Sequence, residues 1–241
     1  LELSNKVYRS LVDSMPDGVP WSFVVVDGGS EDDSVNFWAA HAPVIHPGGD
    51  CYLKHVLRVD PDDLKHLSVA LNAGIDFLLN RGAEYIAWIH ADMEFPQEGW
   101  AHNLVKRIEE DRTIGKISPN LSEQKTVEER EGNNCPWVMP AYVFEKIPEW
   151  RGYIHGDECD ACPRNNVCSK IFCENYRGIG GYEDWDLNRI LKEADMKVVI
   201  SPVGWVVHEG MGTRAKTGKA EDTDFNANYY HNRFETWEPI V

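Results

Sequence analysis

The stretch LSVALNAGIDFLLNRGAEYIAWIHADMEF, residues 67–95, decides the reading of the fold. Leu64, Leu67, Leu71, Ile75 and Leu78 recur at helical spacing, so they trace one face of a helix, and Gly82 closes it. Asp60, Asp62 and Asp63 ahead of them are cap-like acids that suit a helix start. Tyr85-Ile86-Ala87-Trp88-Ile89 reads as a strand buried on both faces, with His90-Ala91-Asp92-Met93-Glu94 at its C-terminal end. A helix feeding a buried strand is the repeating unit of an α/β sheet, and ligands gather at the carboxyl ends of such strands.

The same pattern extends in both directions. Phe23-Val24-Val25-Val26 is a second buried strand and runs into Asp27-Gly28-Gly29-Ser30. Ahead of it Leu1–Ser14 reads as a helix with Leu3, Val7, Leu11 and Val12 on one side, broken by Pro16, Asp17, Gly18 and Pro20. A short helix is expected over Ser34–Ala40. Downstream, Pro96 opens a helix carrying Trp100, Leu104 and Ile108. Another spans Glu183–Ala194 with Leu187, Ile190, Leu191 and Ala194 inward. Val198–Ile200 and Trp205–Val207 read as short strands. Residues 226–237 read as a closing helix that packs Tyr229 or Tyr230, Phe234 and Trp237 on the domain.

Composition bounds the function. The chain has 241 residues, 42% hydrophobic and 27% charged, the profile of a globular protein. Its longest apolar runs fall far short of the ~20 residues a membrane helix needs. With 24 Lys plus Arg against 40 Asp plus Glu, the net charge is −16. That argues against nonspecific coating of nucleic acid or anionic lipid, which rests on basic side chains neutralising phosphates. A phosphorylated ligand would need a metal ion or a local basic island. Arg214, Lys216 and Lys219 in the Gly-rich segment 210–219 form such an island, although an ordinary solvated loop has the same composition. The chain opens on Leu1 without a signal-peptide pattern, and a cytoplasmic location is the expectation.

Four acidic or histidine-bearing sites stand out, each with a plain structural alternative. Asp27 at a strand end suits hydrogen bonds to a base or ribose, and Gly28 and Gly29 let backbone approach a ligand; taken alone, an acidic turn feeding a helix cap at Ser30 or Ser34 is the simpler explanation. Asp92, flanked by His90 and Glu94, offers donors for Mg²⁺ or Mn²⁺, though a single Asp after a strand is often only solvated. Glu183, Asp184 and Asp186 begin a helix, where the dipole alone favours acids. His208 follows a strand, where a satisfied, partly buried imidazole is common.

Their order is the informative part. VDGGSEDDS at 26–34, the Asn72-Ala73-Gly74 helix running into His90-Ala91-Asp92, GGYEDWDLNRILKEADMKVVI at 180–200 and VVHEG at 206–210 resemble, in sequence order, the family-2 inverting glycosyltransferases of the GT-A fold. The resemblance implies an α/β, Rossmann-like, mostly parallel central sheet flanked by helices, in one domain over 1–241. A nucleotide-binding half (1–95) would precede an acceptor half (96–210), with a basic loop and C-terminal helix over 211–241. It further implies that Asp27, Gly29, Ser30 and Asn72 contact a nucleotide-sugar donor, UDP-linked on family frequency. Asp92 and His208 would hold Mn²⁺ or Mg²⁺ on the diphosphate, with Glu94 or His90 added, and Arg214, Lys216 and Lys219 would share the neutralisation. Asp184 is then the general base toward an acceptor hydroxyl, with Glu183 its competitor. The acceptor is open: a sugar, a lipid-linked glycan, a protein or a modified nucleobase.

Three departures from the family pattern are visible. His90 replaces the first Asp of the D-x-D motif. The family's opening strand has no counterpart before Leu1, which leaves the sheet either cut or completed differently. An insertion over 148–176 carries Cys159-x2-Cys162-x5-Cys168-x4-Cys173. Structural zinc, two local disulfides and four free thiols are its readings, in that order. Trp137, Trp150, Tyr153, Trp185 and Trp205 are placed near the acceptor side, although most tryptophans are core residues. Two rival functions remain: a retaining GT-A transferase or nucleotidyltransferase, and a non-catalytic binding module with a vestigial nucleotide-sugar site.

Overall fold

The computed structural model describes residues 2–27, 32–40, 54–58, 67–121, 128–132, 135–154, 170–174, 182–208, 226–228 and 230. Helix α1 (Glu2–Ser14) buries Val7 and Leu11, four positions apart, and leads to β1 (Phe23–Asp27) and α2 (Ser34–Ala40). Strand β2 (Lys54–Arg58) pairs with β1 in parallel, Phe23 opposite Lys54 through Asp27 opposite Arg58. Helix α3 (Leu67–Leu79) crosses β1 closely because Gly74 has no side chain: a Cβ there would stand 3.0 Å from Val26 Cγ2. Phe23 to Val26 are half-buried and Asp27 is buried, so β1 is less enclosed than its apolar run suggests.

Strand β3 (Tyr85–Trp88) and the short β4 (Met93–Glu94) flank the His90–Asp92 loop. Helix α4 (Trp100–Glu110) starts later than Pro96, because Gly99 takes a left-handed conformation (φ 68°) that interrupts helical geometry just before Trp100. The Gly99 amide donates to Ser14 O at 2.6 Å, tying this turn to the end of α1. Trp100, Leu104 and Ile108 are all fully buried, as their spacing requires.

The centre of the domain is β5 (Ile114–Asn120), whose seven residues are all buried. It lies in a five-stranded sheet with β6 (Arg130–Glu131), β7 (Trp137–Pro140) and β8 (Lys197–Trp205), in the order β3-β7-β5-β8-β6. β5 and β8 run parallel, whereas β3–β7, β5–β7 and β6–β8 are antiparallel. The α/β GT-A class stands, but this sheet is mixed rather than mostly parallel. The departure comes from β7 and β6: β7 lies between β3 and β5 and runs opposite to both, and β6 runs opposite to β8. Sequence periodicity misses β5, since IGKISPN carries Gly115, Lys116 and Pro119 where an apolar run is expected. The β5–β8 register shifts at Pro119/Asn120, where proline has no amide to donate.

Two apolar clusters fill the space around the sheet. One joins α1, α4, β5 and β8 through Leu11, Trp100, Leu104, Ile117 and Val199. The other joins α3, α5 (Ala141–Ile154) and α6 (Glu183–Glu193) through Ile75, Phe144, Leu187 and Trp137. β8 is one continuous strand rather than two short ones, and β9 (Val207–His208) follows it. Near the C-terminus, residues 226–228 and 230 are helical, and buried Tyr230 packs on Tyr182 (5.5 Å) and Trp185 (6.1 Å). No helix among the described residues is long and apolar enough to cross a membrane.

Candidate active site

Among the described residues the last strand, β9, completes the loop that follows β3. β9 pairs antiparallel with β4, placing His208 opposite Met93 and Val207 opposite Glu94. This brings His208 Nε2 to 3.3 Å from Asp92 Oδ1. His90 Nδ1 lies 4.0 Å from the same oxygen, and the two imidazole rings stand 5.5 Å apart at 76°. Trp88 backs His90 edge-on at 5.5 Å, and the His90 amide donates to Met93 Sδ at 3.5 Å, which closes the loop. Ligand atoms of His90, Asp92 and His208 all lie within 4.8 Å of one another. Two imidazoles and one carboxylate form a donor set that suits a first-row divalent ion such as Mn²⁺. The residues therefore fit the ion the resemblance implies. Glu94 is placed elsewhere, 3.1 Å from Lys6 Nζ on α1, and the metal-competent group forms without it.

Asp184 stands in the first turn of α6. Its Oδ1 accepts from Lys116 Nζ at 3.0 Å, and Lys116 also donates to Asn188 Oδ1 at 3.1 Å, one turn along the same helix. The Lys116 side chain is wholly buried while that of Asp184 is 28% exposed, so one partner is inside and the other reaches solvent. The ammonium also lies 5.1 Å from the centre of the Trp137 ring, a cation–π distance. Sequence reasoning missed Lys116 because a lone lysine between Gly115 and Ile117 ordinarily reads as exposed. Glu183 and Asp186, beside Asp184, are buried.

Cys135 feels charges from both the His90–Asp92 loop and the start of α6. Desolvation pushes its thiol well above the usual range, the Asp184 and Asp92 carboxylates push the same way, and Lys116 and a hydrogen bond from Trp88 oppose them. Cys135 thus lies within electrostatic reach of both the metal-competent loop and the start of α6.

Of the other expected site residues, Asp27 is buried at the C-terminal end of β1. Asn72 is also buried, but its amide is engaged by the chain. Nδ2 donates to Phe172 O (2.9 Å) and Glu174 Oε1 (3.0 Å), and Oδ1 accepts from Phe172 N (2.9 Å). That clamp fixes residues 170–174, the C-terminal part of the insertion. Gly29, Ser30, Arg214, Lys216, Lys219, Cys159, Cys162 and Cys168 lie outside the described residues; Cys173 is fully buried beside Phe172. Trp137, expected near an acceptor, is a core residue, stacked at 6.4 Å on Trp88 and at 6.2 Å on Phe172.

The α/β domain thus sets His90 and Asp92 just past β3 and His208 at the end of β9. The chain belongs to glycosyl transferase family 2, whose family model matches residues 5–163. It is also similar to a crystal structure of GalNAc-T7 with UDP, GalNAc and Mn²⁺, at a TM-score of 0.57 and 13% sequence identity. That match covers 84% of this chain and 40% of the other, so the chain spans well under half the length of that protein and shares its fold. No curated protein sequence matches the chain.

Proposed function

We propose that the protein transfers a sugar from a nucleotide diphosphate, UDP first, to an acceptor hydroxyl with inversion. The observation that carries this reading is the meeting of His90, Asp92 and His208, whose ligand atoms lie within 4.8 Å of one another. Asp92, His208 and His90 would hold Mn²⁺, or less suitably Mg²⁺, which when bound supplies positive charge to the diphosphate. Asp27 would accept a hydrogen bond from ribose or base, within a nucleotide half formed by residues 1–95. Family membership and the likeness to GalNAc-T7 with UDP, GalNAc and Mn²⁺ support starting from those ligands.

Asp184 is the proposed general base, ahead of Glu183, because its carboxylate is partly open to solvent whereas Glu183 is buried. In the proposed step the acceptor proton passes to Asp184 Oδ2 as the acceptor oxygen bonds to the anomeric carbon. The bond to the diphosphate breaks, and its electron pair leaves on the diphosphate. A base must come within ~3 Å of the proton's oxygen for this to work. The acceptor belongs to one of four classes: sugar, lipid-linked glycan, protein or modified nucleobase.

The test is a screen of UDP-sugars for thermal stabilisation in Mn²⁺, followed by NMR of the product's anomeric centre. Stabilisation by one donor and an inverted anomer are expected, since a ligand bound only by the native state raises the melting point. A retained anomer points to a retaining transferase instead. No donor stabilising the protein points to a non-catalytic module.

A further inference from the structure

We propose that Lys116 is a positioning residue for the base: a buried ammonium that holds Asp184 Oδ1 and leaves Oδ2 to receive the acceptor proton. The inference rests on the reading of Asp184 given above. An ammonium has three donors and no acceptor. At Lys116 two of them meet Asp184 Oδ1 at 3.0 Å and Asn188 Oδ1 at 3.1 Å, and the Trp137 ring lies 5.1 Å away. Asp184 and Asn188 are one turn apart on α6, so a single ammonium grips both ends of that turn.

The placement is costly, which is the reason to ask what it does. Burying a charge takes it out of water at an effective penalty of several kcal/mol unless a well-placed partner offsets it. Lys116 sits on the central strand with a side chain 0% exposed. A surface pair needs no such arrangement, and an apolar side chain in this position would fill the core without the penalty. What the lysine adds is directional: it holds one oxygen of a carboxylate whose side chain stays 28% exposed in the pair. A displacement of about 1 Å in a reacting group costs ~10²-fold in rate, so holding this carboxylate has a kinetic consequence.

The test is a double-mutant cycle read by UDP release from UDP-N-acetylgalactosamine, UDP-glucose and UDP-galactose in Mn²⁺, with water as the acceptor that bonds to the anomeric carbon and gives its proton to Asp184. Lys116→Met is expected to lower kcat by ~10–100-fold while the donor KM stays within about twofold. In an Asp184→Asn background, the same substitution should change the residual rate by less than about twofold, because its effect runs through Asp184. Asp184 keeps partial hydration when the lysine is removed. Should K116M still fail to fold, K116Q retains a donor for Asp184 without the charge and is measured in its place. An equal fall in kcat in both backgrounds, or a change in KM alone, overturns the inference and leaves Lys116 a purely structural ion. Full turnover in D184N alone, or no release by the unmodified protein from any of the three donors, instead overturns the reading on which it rests.

Discussion

His208 Nε2 lies 3.3 Å from Asp92 Oδ1, although one residue sits on β9 and the other in the loop that precedes β4. The contact exists because two residues of β4 pair with two of β9, so the last described strand supplies a donor to the loop that follows β3. Replacing His208 with Ala removes one of the three proposed ligands and leaves its backbone in place. Mn²⁺ affinity, followed by paramagnetic resonance on the protein alone, is expected to fall by at least ~10–100-fold, the range already seen when outer-shell partners are lost. His90→Ala should produce a similar loss, and Glu94→Gln almost none, since Glu94 engages Lys6.

Asp184→Asn is expected to leave UDP affinity nearly intact and to lower turnover by ~10²–10⁴-fold, the share a general base contributes. Calorimetry of UDP binding and a steady-state rate together check it. Equal losses in both would assign Asp184 to donor binding.

Asn72 offers a discriminating experiment. Asn72→Leu deprives the buried Phe172 amide of its acceptor, which costs about 1–3 kcal/mol and should speed hydrogen exchange at Phe172. UDP affinity should be unchanged if the amide serves only the clamp. A parallel loss of UDP affinity would place it at the nucleotide after all.

Gly115→Ala tests the contact between β5 and α6. The added Cβ would meet Met196 Cβ at 2.9 Å and Leu191 Cδ2 at 3.2 Å. Overpacking of this kind costs about 1–3 kcal/mol, which for a domain of this size lowers the melting temperature by ~2–12 °C. Differential scanning calorimetry reads the shift.

A pH dependence follows at Asp111. The hydrogen bond from Lys197 Nζ, at 2.8 Å, and then the hydroxyl and amide of Thr113 hold its carboxyl well below the usual carboxylate range. A depressed folded-state value means that the contribution to stability is complete above the unfolded value of about 3.9 and is lost as pH falls below it. Asp111→Asn should therefore lower the melting temperature at neutral pH, and the gap to the unmodified protein should narrow progressively on acidification below pH ~4. A gap that widens in acid would contradict the assignment.

The helices were readable because their inner faces repeat strictly: Leu71 and Ile75, or Trp100, Leu104 and Ile108, leave little choice of period. Strands β1 and β3 were readable as apolar runs. Asp92 with His90 and Glu94 beside it was legible as a candidate metal loop and His208 joined it only through the family resemblance, while the pairing of Glu94 with Lys6, far away in sequence, was not legible. The middle of the sheet was not readable. β5 carries a charged residue, a glycine and a proline, and its strand identity comes from neighbours on both sides rather than from its own pattern. Lys116 was hidden for the same reason: only tertiary structure shows that Asp184 and Asn188 wait at the end of its side chain. Asn72 was seen as part of a nucleotide motif, whereas its amide meets a segment a hundred residues downstream.

The most direct measurement is a calorimetric titration of UDP into the protein with and without Mn²⁺, repeated for Asp92→Ala. Binding is expected to require the ion in the unmodified protein and to be abolished or strongly weakened by D92A. UDP binding of equal strength in the presence and absence of Mn²⁺, or none in either, would contradict it.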